Sequence, residues 1–548
     1  MMADSFETIS ERILQKYLEM NPATARYLGL HEYDGQVPDL SAQALQNYVA
    51  WAEQELKNLD QLDSGSLSEQ QQFDLALLRH NLAAIPFNIN EMRDWEQNPL
   101  YYSQQLSLVN YLSRSYAPLP ERLDAIARHQ RRIPALLETV RANLKPPFAR
   151  PVMEVAFQVF GGELRYPQGD LAQEIDKASL TEAQRKESEE ANREAIAALE
   201  SFIAYLKKES ENSHDNFAIG RDKYQKLLFH GDMVDLPVEE VLAAGERDLE
   251  RNYAEFEEVA RQIDPNATPD EIRDRLKDEH PSADELIPYT EKLLEEIRSY
   301  LVEKDLITIP SEIRPIVAET PPQSRWSFAS MATPGPFEKA TEAYYYITLP
   351  EKDWPYEKQK EWLTAYSFTT MEDISIHEVY PGHYIHFLHF QNAPSRVTKI
   401  MRGSTAHSEG WAHYCEQMML EEGYGAGNPE VKLAQLDAAL KRDCRYIAAI
   451  KMHTQGMSVE DATRLFMKYA HMAEHPARTE ALRGTWQPGY LAYTLGKLMI
   501  LKMREDLKQR EGSNFNLKAF HDACVGNGVP PVPLLRRKLL GENSGAVL

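Results

Sequence analysis

Apolar residues spaced three and four apart dominate the chain and constrain its fold more than any other feature. Near the start Phe6, Ile9, Ile13 and Tyr17 recur at these intervals, with Leu14 and Leu18 beside them. That spacing lays one apolar stripe along a helix. Residues 41–61, 67–84, 121–145, 179–208 and 237–263 carry the same period. Each stripe must be covered by another element, so the pattern predicts a mostly α fold. The Pro-containing segments 145–151 and 264–271 interrupt the runs and read as turns or linkers. Beyond residue 305 the character changes. Residues 320–338 are loop-like, and Tyr344-Tyr345-Tyr346-Ile347-Thr348-Leu349, closed by Pro350, is the best strand candidate. It is expected at the edge of a small sheet; simple core filling by aromatics is an equal alternative.

At 548 residues the chain is too long for one core. Acidic residues outnumber basic ones by 84 to 60, a formal net charge of -24. Such a surface repels phosphate backbones and anionic lipid, which argues against nucleic acid and membrane as partners. Cys415, Cys444 and Cys524 have no CxxC spacing, so neither a disulfide framework nor a thiolate metal site is indicated. The N-terminal residues lack a basic and an apolar region of the signal-peptide kind. Together with the reduced cysteines this sets the expectation of a cytoplasmic protein.

Chemistry concentrates in Ile376-His377-Glu378-Val379-Tyr380-Pro381-Gly382-His383. Zinc peptidases commonly carry HExxH, with two histidines on one helical face and a glutamate as general base. Here position 381 is proline and the second histidine comes six residues after the first. On a regular helix six steps turn about 600°, leaving the two histidines roughly 120° and 9 Å apart. Pro381 cannot donate to the preceding turn, and Gly382 tolerates unusual backbone angles. Pro-Gly is therefore expected to bulge the helix and bring His383 round. Thr369 and Glu372 form a capping-box pattern that starts this helix. A second helix over 406–422 carries Glu409, a suitable third ligand, and Glu416 seven residues on, placed to orient a ligand histidine. A third helix starts after Ser458, with Asp461 three residues on. His386, His389, His407 and His413 lie nearby; the first two are either structural or members of a different metal set.

HEVYPGHYIH followed by EGWAHYCEQ resembles the DUF885 family of bacterial proteins, whose members carry HExxPGH and a downstream EGWA. The likeness extends from NPATARYLGLHEYDG near the start to FHDACVGNGVPPVPLLRRKLL near the end. The motif layout is similar to that of helical HExxH oligopeptidases and carboxypeptidases. That implies two helical lobes around a deep cleft, edged by a small sheet, with residues 1–305 as helical lobe and channel wall and 306–548 as the metal-binding catalytic lobe. The family's Pro-Gly-Gln-x-x-x-Tyr-x-x-Gly pattern falls on 488–496, where Tyr490 replaces the glutamine and Tyr493 matches. The resemblance implies that Tyr493 donates to a developing oxyanion; packing on its own helix is the other reading. Arg483 also matches and either binds a substrate carboxylate or pairs with Glu480.

The expected activity is hydrolysis of peptide bonds, of short peptides, with zinc held by His377, His383 and Glu409. Glu378 is the expected base, and the strand at 344–349 would align an extended peptide. Two histidines and a glutamate also suit a non-haem iron enzyme, and a metal-free helical binding protein is the remaining alternative.

Overall fold

The computed structural model describes residues 5–321, 325, 328–401, 403–541 and 545–548. The first four residues of the N-terminal segment, and residues 322–324 and 326–327 of the expected loop, lie outside the described residues. Helices dominate, as the period requires. Ser5 caps Phe6–Met20 by accepting the Thr8 N–H, and that helix buries Phe6, Ile9, Ile13, Leu14 and Leu18. Ala42–Asp60, Glu69–Pro86, Glu182–Ser210 and Val238–Ile263 follow the remaining stripes. The stripe at 121–145 is two helices, Leu119–Gln130 and Ile133–Asn143. Pro134 sits in the first turn of the second, where a missing N–H costs nothing, so it starts a helix rather than continuing one. No described helix is long and apolar enough to cross a membrane.

The chain forms two compact units. One comprises Met1–Ile219 and Pro334–Glu342, the other Gly220–Thr333 and Ala343–Leu548. The first break thus falls at Ile219 instead of 305, because Val238–Ile263 packs along the helix Pro429–Thr454 of its own unit. Gly245 makes that approach possible: a Cβ there would stand 2.2 Å from the Tyr446 ring.

The second unit holds a three-stranded sheet of β1 (Ile316–Glu319), β2 (Ala329–Ala332) and β3 (Tyr344–Ile347), in the order β1-β3-β2. β3 is the expected strand, but it is central, not an edge: Tyr345 pairs with Val317 in parallel and with Met331 antiparallel. Tyr345 and Ile347 are fully buried, while Tyr344 and Tyr346 stack 5.4 Å apart on the other face. β2 arises within the stretch read as loop. Its Ala-Ser-Met-Ala sequence has little strand preference, and pairing to β3 imposes the extended form.

Candidate metal centre

Five helices of the second unit build the site: α1 (Phe368–Glu378), α2 (His383–Gln391), α3 (Thr405–Glu421), α4 (Pro429–Thr454) and α5 (Glu474–Trp486). α1 is capped by Ser367, whose hydroxyl accepts the Thr370 N–H, and not by Thr369, which is already helical and buried. The helix delivers His377 in its last turn and Glu378 as its last residue. α3 ends where the left-handed Gly423 (φ 96°) follows it, and Ser458 and Asp461 form the expected capping box of a later helix.

Pro-Gly does not bulge one helix; it separates two. Val379 and Tyr380 both donate to Ser375 O, and the Gly382 N–H donates to Ile376 O at 3.0 Å. The His386 N–H then takes Gly382 O and opens α2. Gly382 is pressed against α1 so closely that a Cβ would lie 1.7 Å from His377 O. The chain therefore folds back onto its own last turn, which brings the His377 and His383 rings to 4.9 Å, nearly perpendicular. The buried Trp411 fastens the turn from α3 by donating its indole N–H to Pro381 O at 3.0 Å.

His377, His383 and Glu409 offer ligand atoms that all lie within 4.8 Å of one another. Glu409 Oε2 is 3.7 Å from His377 Nε2 and 3.5 Å from His383 Nε2. Donors bound at 2.0–2.1 Å to a tetrahedral zinc lie roughly 3.4 Å apart, so the three fit such an ion. Burial works against charge on His377, but Glu409 and Glu416 outweigh it and push its pKa up to about 10. Burial likewise works against charge on Glu409, yet the two histidines hold it well below the usual carboxylate range.

Glu416, fully buried, lies 2.6 Å from His377 Nδ1 and 3.0 Å from His413 Nδ1, and accepts from Arg442 of α4 at 2.9 Å. It fixes the His377 tautomer that leaves Nε2 free to ligate. Against its burial, Arg442 and His413 keep its carboxyl ionised. Glu378 accepts the Met331 N–H of β2 on Oε2 at 3.1 Å.

The other histidines have structural partners. His386, His389 and His407 each reach a main-chain carbonyl, of Gly528, Thr308 and Pro530, at 2.8–3.0 Å. Tyr493 is half-buried, with Arg442, Arg445 and Arg483 at 5.8, 5.0 and 5.9 Å from its ring centre. Arg483 does not pair with Glu480, which Arg445 engages with two hydrogen bonds of 2.8 and 2.6 Å; it donates to Gln487 instead. Tyr490 is buried and its hydroxyl has no partner among the described residues. Sequence reasoning missed Trp411, Arg442 and the Met331 N–H. Trp411 was signalled by its place beside Glu409, whereas nothing in the spacing announces the other two.

Two solved structures resemble the chain over nearly its whole length. One, titled as a "putative lipoprotein of unknown function from Shewanella oneidensis", is 25% identical, with a TM-score of 0.84 over 98% of this chain and 100% of that one. The other, a "putative lipoprotein from Colwellia psychrerythraea", has a TM-score of 0.80 over 98% and 99%; at 17% identity it speaks to the fold alone. No curated protein sequence matches. The family model described as "Bacterial protein of unknown function (DUF885)" matches residues 22–539, and the chain belongs to that family.

Proposed function

We propose that this protein is a zinc-dependent peptidase acting on short peptides. The observation that carries the reading is the convergence of His377, His383 and Glu409 at zinc-like separations, with Glu378 next in the chain to one of them. These three residues would hold the ion. When bound, zinc supplies a Lewis acid that lowers the pKa of water to roughly 7 and polarises a carbonyl. Glu378 takes a proton from water and delivers it to the leaving amine nitrogen. Its tie to Met331 N–H fixes one carboxylate oxygen and leaves the other for that exchange. Tyr493 donates its phenol O–H to the developing oxyanion. The aligning role once expected of β3 passes to β2, because both edges of β3 are occupied while β2 lies at the edge of the described sheet, hydrogen-bonded to Glu378.

Metal analysis of the purified protein, combined with hydrolysis of a short-peptide mixture, tests the reading. The expected result is about one equivalent of zinc and activity lost with a chelator. Glu378→Gln should keep the metal and lose hydrolysis by several orders of magnitude, because a carboxamide cannot accept the proton. Stoichiometric iron, or unchanged turnover in Glu378→Gln, would overturn it.

A further inference from the structure

α4 and α5 assemble more positive charge than the neighbouring carboxylates can neutralise. Lys441, Arg442 and Arg445 come from α4 and Arg483 from α5. Glu416 is engaged by Arg442 and two histidines, and Glu480 by Arg445. Asp437 is paired with Arg273 at 3.4 Å. That leaves Lys441 and Arg483 with no carboxylate within ion-pair distance among the described residues; the only hydrogen bond of Arg483 runs from Nε to the neutral Gln487. Lys441 lies one helical turn before Arg445 and Arg483 one turn after Glu480, so both stand on the faces that meet at the Arg445–Glu480 pair; against burial, these cations hold the Glu480 carboxyl below its usual range. The Trp486 indole N–H and the Tyr490 hydroxyl on the same stretch are buried donors without a partner among the described residues. In a chain of net charge -24, three cations sharing the one half-buried carboxylate Glu480 are costly unless a further anion joins them.

This surplus adjoins the metal centre through Arg442 and Tyr493. Arg442 Nη2 is 3.2 Å from His377 Nδ1, and its guanidinium shares the Tyr493 ring with that of Arg483. Two groups each within 6 Å of one ring centre are at most about 12 Å apart, so the Arg483 guanidinium lies within that distance of the Arg442 group that touches His377.

We propose that Arg483 and Lys441 bind the C-terminal carboxylate of a short peptide, so that the centre cleaves from the C-terminal end. The planar fork of Arg483 suits a carboxylate and its Nη donors are unclaimed among the described residues; Lys441 adds a second charge. This inference rests on the peptidase reading for its chemistry, but its binding half is testable without turnover.

The test uses zinc-loaded Glu378→Gln protein and isothermal titration with Ala-Ala-Phe as free acid, Ala-Ala-Phe amide and Ala-Ala-Glu amide. The free acid should bind at least tenfold more tightly than either amide. Arg483→Ala and Lys441→Ala, each introduced separately and checked for an unchanged thermal midpoint, should lose most of that preference, and Arg483→Lys should recover part of it. Equal affinity for acid and amide, including no measurable binding of either, overturns the inference, as does a preference that survives both alanine variants. Tight binding of Ala-Ala-Glu amide would show that a side-chain carboxylate is read instead, and also overturns it. Wild-type protein that cleaves acid and amide alike sinks this inference but leaves the peptidase reading standing. Wild-type protein that cleaves no peptide sinks the reading, whatever the titration shows.

Discussion

Replacing Gly382 by alanine adds one methyl group at the tightest point of the candidate metal centre. The added Cβ would stand 1.7 Å from His377 O, 2.4 Å from His377 C and 2.5 Å from Ile376 O. All three are backbone atoms of α1, so no side-chain rotation relieves the overlap. Carbon contact lies at about 3.5 Å, which requires the start of α2 to retreat by roughly 1.5 to 2 Å. His383 is the next residue and moves with it, whereas metal–ligand distances tolerate about 0.2 Å. His383 is then off the ion, and the variant should bind zinc at least 100-fold more weakly, a loss of about 2.8 kcal/mol. Overpacking against fixed backbone costs about 3 kcal/mol, which lowers the midpoint of a unit this large by about 4 to 5 °C. Chelator competition gives the affinity and a thermal melt of the metal-free protein gives the second number. Zinc affinity within threefold of wild type, with an unmoved midpoint, would refute the fold-back of Gly382 onto α1 as what sets His383 in place.

Trp411→Phe keeps the buried ring but strands Pro381 O without its 3.0 Å donor; an unsatisfied buried carbonyl costs about 1–3 kcal/mol, so zinc should bind several-fold to tenfold more weakly in chelator competition while the melt shifts only a few degrees. Glu416→Gln removes the charge shared by His377, His413 and Arg442, and outer-shell losses of this kind weaken zinc by about 10- to 100-fold; unchanged affinity would mean that the tautomer of His377 needs no carboxylate. Glu163, in the helix Arg150–Gln168, is pushed up to about 7 by burial. A carboxyl with a raised folded pKa loses stability as pH climbs from its unfolded value of 4.5 to 7 and regains none above, so Glu163→Gln should stabilise the protein at pH 8 and change little at pH 4 in paired thermal melts.

What was legible in the sequence is what depends on near neighbours. The 3.6 period locates the long helices because each stripe is a local property of one element, and Ser458 with Asp461 announces its helix for the same reason. β2 was not legible, since Ala329–Ala332 becomes a strand only by pairing with β3. Thr369 was misread as a cap because Ser367, two residues earlier, has the same chemistry and the free position. The Pro-Gly departure pointed to two histidines whose rings do converge, but to the wrong backbone. A bulge keeps one helix axis, whereas the observed break reverses the chain against His377 and needs Gly382 for space as much as for its torsion angles. Glu416 could be proposed from its spacing to Glu409, but Arg442, 26 residues further on in another helix, could not.

The two motifs that sequence treats as separate behave as one mechanical piece. Glu409 offers a candidate ligand atom, Trp411 ties the Pro-Gly turn, and Gly410 between them lets α3 lie against the helix Ala492–Glu511, where a Cβ would come within 2.3 Å of Gly496 Cα. Gly496 is equally bare, its missing Cβ falling 1.7 Å from Ala406 O. That same helix begins at Ala492 and presents Tyr493 in its first turn. Contact between the two glycines therefore sets how close Tyr493 comes to the helix bearing Glu409. The glycine of EGWA and the last glycine of the 488–496 pattern are thus positioning elements for the candidate site, which explains why neither could be assigned a chemical role from sequence.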